Sequence, residues 1–328
     1  MLGTREPRLR LLLPSLLTTL DCTLGAVSIA RLRADLEALA VPRSRLHAPE
    51  GITAAEARIG ARLREAGWQT ERMPFSLSDV EGNEDFGSYA RTVYPRLDGT
   101  NVVAVKHGNR PHEAVLIGAH YDSVRGSPGA DDNASGVAVL LELARVLAAL
   151  RFRRSVILAA FDMEEIGLLG ARALLPELAS RFQIRAAVVL ESVGYTSRAP
   201  RSQRVPPGMD FLYRGQTQRL ARHAHAGDFT AVIYNGPSRH LARVFGEAIA
   251  HTARREAVTL LRDPNDVPLL GRFLARLVPA PCATSAAVTT PSSGRPVSLP
   301  CSSPTPQTSA TRTITAPLIR RRRSTTPI

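Results

Sequence analysis

The sequence predicts an α/β fold, with a central mixed, mostly parallel β-sheet flanked by helices. Three observations lead there. Short apolar runs at residues 101–106 (NVVAVK), 114–118 (AVLIG), 155–161 (SVILAAF) and 186–190 (AAVVL) have strand length and the hydrophobicity of strands covered on both faces. Segments of helical periodicity alternate with them. Acidic residues follow three of the runs, at the carboxyl ends of strands, where open α/β sheets build their sites.

Each element has its own signal. Residues 30–39 read as a helix. Residues 53–67 read as another, because Ala55, Ile59 and Leu63 recur every four residues and Gly67 is a stop. Residues 69–75 suit a strand, and 101–106 and 114–118 are bounded by turn residues. A strong helix is expected over 137–150, a buried strand over 155–161 and a helix over 167–178. The strand at 186–190 is followed by a further strand at 229–234 and a helix over 239–257. No internal repeat is visible.

Composition narrows the class. The 328 residues suit one large domain or two modest ones. Hydrophobic content of 44% and charged content of 22% exclude a wholly disordered or collagen-like chain. Three cysteines exclude a disulfide scaffold. No uncharged apolar stretch of about 18 residues is present, so a spanning helix is not expected.

The net charge of +13 is unevenly placed. From residue 267 on there is no Asp or Glu but there are eight arginines, which leaves +5 for the rest. A nucleic-acid reader would interleave basic residues with aromatics on a folded face. Aromatics are only 5% here, so no nucleic-acid partner is expected.

The two ends differ from the middle. Arg5, Arg8 and Arg10 precede an apolar run at 11–20, as in a signal peptide, but Pro14 and Asp21 interrupt the pattern. We read 1–29 as an ambiguous leader, and cytoplasmic placement is favoured over export. Residues 271–328 are dominated by Ser, Thr, Pro and Arg towards their end, the composition of a disordered basic tail.

The chemistry lies in three segments. Residues 118–136 (GAHYDSVRGSPGADDNASG) offer His120, Asp122, Asp131 and Asp132. Residues 161–170 (FDMEEIGLLG) offer Glu164 and Glu165, and residues 190–195 (LESVGY) offer Glu191. One imidazole with several carboxylates is a hydrolytic divalent-metal set. Two ions about 3.5–4 Å apart need a bridging carboxylate, and a carboxylate beside the metals can take a proton from water. Glu164 and Glu165 could divide the jobs of base and ligand, and Asp122 could fix the His120 tautomer. Each element alone has a plainer reading: a chance His-x-Asp, a solvated Glu-Glu pair, a helix cap at Asp131–Asp132, half a salt bridge at Glu191. Together they favour a metal, because acidic residues after apolar strand cores are costly unless paired or metal-bound.

These segments resemble the co-catalytic zinc aminopeptidase family, which includes bacterial leucyl aminopeptidases, glutamate carboxypeptidase and glutaminyl cyclases. The matching motifs are H-x-D, A-D-D-N-A-S-G-V, D-M-E-E-x-G-L-x-G and L-E-x-x-G-Y, within residues 100–195. The resemblance implies a zinc peptidase domain over 30–270, two zinc ions and a peptide substrate, with no membrane partner. It implies that His120 and Glu191 bind one zinc, that Asp132 bridges both, and that Glu165 binds the second. Glu164 would be the general base and Asp122 would orient His120. The bond after Asp132 would be a cis peptide.

The chain departs from the family in one place. The family has a further His ligand in a segment like N-P-x-Y-H-x-x-x-D-T, preceded by Ser-Asp-His, and neither follows Glu191. His223, His225, His240 and His251 lie in other contexts. Read in the other frame, the codons for 287–328 are compatible with the missing segment in order and without gaps. We therefore expect a one-base frameshift upstream of Val288, an incomplete domain with its C-terminal part missing, and an enzyme inactive or impaired as written. The rivals are a one-zinc cyclase-like homologue, a non-catalytic homologue and a nucleic-acid binder using the tail.

Overall fold

The computed structural model describes residues 23–82, 92–205, 208–263, 266 and 287–288. Most of the leader and nearly all of the tail set out above lie outside the described residues.

Two helices come first. α1 (Ile29–Leu39) is capped by Ser28, whose hydroxyl accepts from the Arg31 amide at 3.3 Å. α2 (Pro49–Glu65) starts on proline, which suits the first helical position, and buries Ile52, Ala55, Ile59 and Leu63 on one face. Gly67 ends it with φ +80°, a left-handed conformation that glycine adopts without steric cost. The indole of Trp68 then donates to the Ala144 carbonyl at 2.8 Å and fixes this exit against a later helix.

A five-stranded sheet follows. β1 (Gln69–Gly82) and β2 (Thr92–Lys106) form a long antiparallel pair, and β2 pairs antiparallel with β4 (Arg154–Phe161). β3 (Arg110–His120) lies between β4 and β5 (Gln183–Val189) and is parallel to both. The order is β1-β2-β4-β3-β5. Parallel neighbours need crossovers. α3 (Gly136–Leu147) joins β3 to β4, and α4 (Leu169–Arg181) joins β4 to β5.

The crossovers lie on opposite faces. Val102, Ala104, Leu158 and Ala160 pack with Ile59, Leu63, Val137 and Leu140 of α2 and α3. Their strand neighbours Val103, Val105, Ile157 and Phe161 pack with Leu174 and Leu178 of α4. This alternation explains the unbroken apolar runs: both faces of these strands are core. Each fully buried Leu or Ile contributes roughly 1.5–3 kcal/mol relative to exposure. The crossovers after β3 and β4 leave towards opposite faces, and the carboxyl ends at such a switch point are where open α/β sheets place their sites.

A second small sheet follows. β6 (Thr230–Tyr234) is parallel to β7 (Val258–Arg262) and to the two-residue β8 (Ala287–Val288). α5 (Arg214–Arg222) buries no residue, whereas α6 (Arg239–Thr252) packs Ala242, Phe245 and Ile249 against Val232 and Val258. Four of the six strand pairings are parallel, so the sheet architecture is mixed and mostly parallel as expected.

Several boundaries differ from the sequence reading, and two of them have a plain physical cause. α6 stops at Thr252 instead of running to 257, and 258–262 forms a strand that burial of Val258 and Leu261 pulls onto β6. α4 starts at Leu169, because Gly167 and Leu168 have positive φ and turn the chain over the Glu164 carbonyl.

Candidate metal centre

All six residues to which the resemblance gives a role converge at the carboxyl ends of β3, β4 and β5. His120 is the last residue of β3, and Asp122 follows two positions on. Asp132 sits in a wide turn, Ala130–Ser135, that leads into α3. The turn is opened by Gly129 at φ 55°, and the Asp132–Asn133 peptide bond is cis. Glu164 and Glu165 lie just past β4, and Glu191 lies two residues past β5.

The imidazole is the hub. His120 Nε2 lies 3.0 Å from Asp132 Oδ1, 3.4 Å from Glu191 Oε1 and 3.9 Å from Glu164 Oε2. Its other nitrogen, Nδ1, faces Asp122 Oδ1 at 3.2 Å. Asp122 also accepts from the Glu164 amide through Oδ1 and from the Glu165 amide through Oδ2, both at 3.0 Å. One buried carboxylate thus orients the histidine and holds the backbone of both glutamates. This division of labour is the one found around metal-bound histidines.

Asn133 links the turn to Glu191. Its carboxamide oxygen accepts from the Gly136 and Ser192 amides at 3.1 and 3.2 Å. Its Nδ2 donates to the Leu190 carbonyl at 2.8 Å and to Glu191 at 3.4 Å. Asp162, fully buried, accepts from the Thr100 amide at 2.9 Å and pairs with Arg45 at 2.7 Å. The sequence reading assigns no role to Asn133 or Asp162. The signal available for both was adjacency to a named residue, at Asp132 and at the Met163–Glu164 turn.

The electrostatics are those of a cation site. Burial alone would lower the His120 pKa, but Glu191, Glu164 and the hydrogen bonds that the ring donates to Asp122 and Asp132 outweigh it and hold the imidazole well above its ordinary value. Burial, with repulsion from Glu165, Glu191 and Asp122, pushes Glu164 well above the usual carboxylate range. Burial also raises Glu191. Glu164 Oε1 is buried and accepts no hydrogen bond among the described residues. A positive charge placed among these groups would relieve all three strains at once.

The donor set fits a metal ion. His120, Asp132 and Glu191 each offer a ligand atom within 4.8 Å of the others, and so do His120, Glu164 and Glu165. Imidazole nitrogen with carboxylate oxygen suits zinc. Among the described residues no helix is long and apolar enough to cross a membrane.

Known proteins resemble this chain in sequence and in fold. Residues 101–239 match Peptidase family M28. A protein of Pyrenophora tritici-repentis named "Probable zinc metalloprotease" is 30% identical over 219 residues, 61% of this chain and 48% of that protein. Aminopeptidase YwaD of Bacillus subtilis is 35% identical over 147 residues, 43% of this chain and 32% of that protein. The chain thus spans half or less of the length of these curated relatives. Among solved structures, Macrostomum lignano glutaminyl cyclase superposes with a TM-score of 0.50 at 16% identity, covering 74% of this chain and 73% of that one. Strand-end donors, crossover topology and sequence match converge on one likeness: over residues 101–239 the chain is similar to Peptidase family M28.

Proposed function

We propose that this protein is a zinc-dependent exopeptidase, specifically a two-zinc aminopeptidase by descent, that hydrolyses peptide bonds. The observation that carries the reading is the approach of Asp132, Glu191 and Glu164 to one nitrogen of His120, within 3.0–3.9 Å. His120, Asp132 and Glu191 would hold one zinc, and Asp132 with Glu165 would hold the second. Zinc, when bound, supplies Lewis-acid chemistry that polarises a carbonyl and makes water more acidic. Glu164 receives the proton from water at its carboxylate and returns it to the departing amine. Its buried setting and raised pKa suit both halves of that transfer. Asp122 keeps the His120 Nε2 lone pair turned towards the zinc.

As written, the chain is impaired. The second zinc would have only Asp132 and Glu165, because no C-terminal His ligand follows Glu191 in this reading frame. A frameshift upstream of Val288 accounts for that loss.

Two measurements test the reading. Zinc titration of the chain as written should show tight binding that His120→Ala weakens by at least ~100-fold. Unchanged binding in that variant would remove the metal reading. Resequencing the DNA from the Asp266 codon past the stop should reveal a missing or extra base. The restored chain should hydrolyse an aminoacyl p-nitroanilide at least ~100-fold faster than the chain as written. A frame that stands as written would leave a degraded or one-zinc homologue.

A further inference from the structure

Behind the candidate site lies a buried guanidinium with no carboxylate against it. Arg43 is fully buried, and every hydrogen bond of its guanidinium goes to a backbone carbonyl. Nε donates to Tyr121 at 2.7 Å, and Nη2 donates to Gly129 at 3.1 Å. Nη1 donates to Val41 at 2.7 Å, to Pro128 at 2.8 Å and to Leu39. The backbone adds two ties. The Arg43 amide donates to Ser123 Oγ at 3.1 Å, and the Ser123 amide donates to the Arg43 carbonyl at 2.7 Å. Arg45, two residues on, behaves differently and spends its charge on Asp162 and Glu56.

Burying a guanidinium without a counter-ion is expensive, at several kcal/mol even after relaxation. Burial lowers the Arg43 pKa to about 10, against the opposing fields of Asp122, Asp132 and Glu165. The carbonyls it collects share a location. Tyr121 immediately precedes Asp122. Pro128 and Gly129 immediately precede the turn that carries Asp132. Between these anchors the chain is rich in Gly, Ser and Pro and is exposed at Arg125, Gly126 and Pro128. Inside the loop the ties run through Ser127, whose carbonyl accepts from the Ser123 hydroxyl at 3.1 Å and whose hydroxyl accepts from the Gly129 amide at 3.0 Å; Arg43 anchors both ends from outside it. A planar fork with five donors can fix both ends at once, which a lysine ammonium cannot.

We propose that Arg43 is a positioning residue of the metal site: it clamps the two ends of the 121–129 loop, and so sets Asp122 and Asp132 at His120 in metal-binding geometry. The proposal rests on the zinc reading above. It makes zinc affinity depend on a side chain that touches no ligand.

The test is zinc affinity of the full chain, by competition with a chromophoric chelator, for wild type, Arg43→Lys and Ser123→Ala. Thermal unfolding in EDTA is measured in parallel. Arg43→Lys keeps the charge and loses the fork, and its zinc Kd should rise about tenfold or more. Ser123→Ala removes the hydroxyl that accepts from the Arg43 amide, together with its bond to the Ser127 carbonyl, and should raise Kd about threefold. A merely structural Arg43 would lower the unfolding temperature in EDTA and leave the zinc Kd of the folded protein unchanged; that result overturns the proposal. If Arg43→Lys does not fold, an unchanged Kd in Ser123→Ala overturns it. A wild-type chain that binds no zinc would instead sink the metal reading itself, so the two failures are separable.

Discussion

Two sets of strand ends in this molecule carry acidic residues, and they do different things with them. Past β3, β4 and β5, the groups that shift Glu164 and Glu191 are other carboxylates and one imidazole, His120. Past β6 and β7, Asp266 is met by arginine: its Oδ2 takes hydrogen bonds from Arg262 Nε and Nη2, both at 3.1 Å, and from the Gly236 amide. Asn235 in the same region caps a short helical turn through Ser238. Both places are parallel strand ends in an α/β sheet. Acid after a strand is therefore not enough to mark a site. What matters is whether the chain supplies its own cation. Where it does, the carboxylate is structural. Where carboxylates crowd each other around a histidine, the arrangement suits a metal ion as a further source of positive charge.

The widest gap expected between the two regions is in packing. Leu158 is fully buried in a sheet covered on both faces, whereas Leu261, in the small sheet, lines a cavity with Tyr213, Gln216 and Leu220. Leu158→Ala should cost about 4 kcal/mol in urea unfolding and Leu261→Ala about 2 kcal/mol, the spread following how far each cavity can collapse. Equal costs would mean that the small sheet is packed as tightly as the large one.

The second contrast is in metal affinity. Asp122→Asn keeps the shape but weakens the grip on His120, and zinc binding should fall ~10–100-fold. Asp266→Asn, which only breaks a partly exposed pair with Arg262, should leave zinc binding unchanged and cost at most about 0.5 kcal/mol of stability. A loss of zinc affinity in Asp266→Asn would end the distinction between the two strand ends.

The smallest effect concerns a carboxylate beside the site region that does have its cations. Burial would raise the Glu142 pKa, but hydrogen bonds from Arg145, Arg31 and the Ser28 amide outweigh it and hold it at about 2. The folded value lies below the unfolded one, so the stabilisation is complete above roughly pH 4.5 and is lost as pH falls towards about 2. Both arginines are partly exposed, so Glu142→Gln should cost only about 1–2 kcal/mol at pH 7. In urea unfolding the gap between variant and wild type should close below about pH 2. A gap that is constant with pH would show that packing, not charge, is what the variant loses.

Much of this was legible in the chain. The strand cores at 101–106, 114–118 and 155–161 stood out because both faces are buried, so no polar alternation masks them. The six site residues stood out because each lies within a few positions of such a core, apart from Asp132 at the entry to α3. Arg43 did not stand out. It lies 78 residues from Tyr121 and 86 from Gly129, and nothing local distinguishes it from the many other arginines of this chain. The strand at 258–262 was also missed, because its pairing with 230–234 is a contact between distant segments. The start of α4 was misplaced for a local reason: Leu168 has φ 62°, which a leucine rarely adopts and its letter does not announce.

The sequence by itself determined most of the strands and helices and which carboxylates stand at strand ends. Those properties come from periodicity and from bond geometry over a few residues. The tertiary structure decided which of the carboxylates are neutralised from within. Arg45 reaches Asp162 across 117 positions, and Arg262 reaches Asp266 across four, while the charges gathered about Glu164 and Glu191 are their own kind and one histidine. The physical reason is that Coulomb energy and desolvation depend on distance and burial in space, which the order of residues along the chain does not contain.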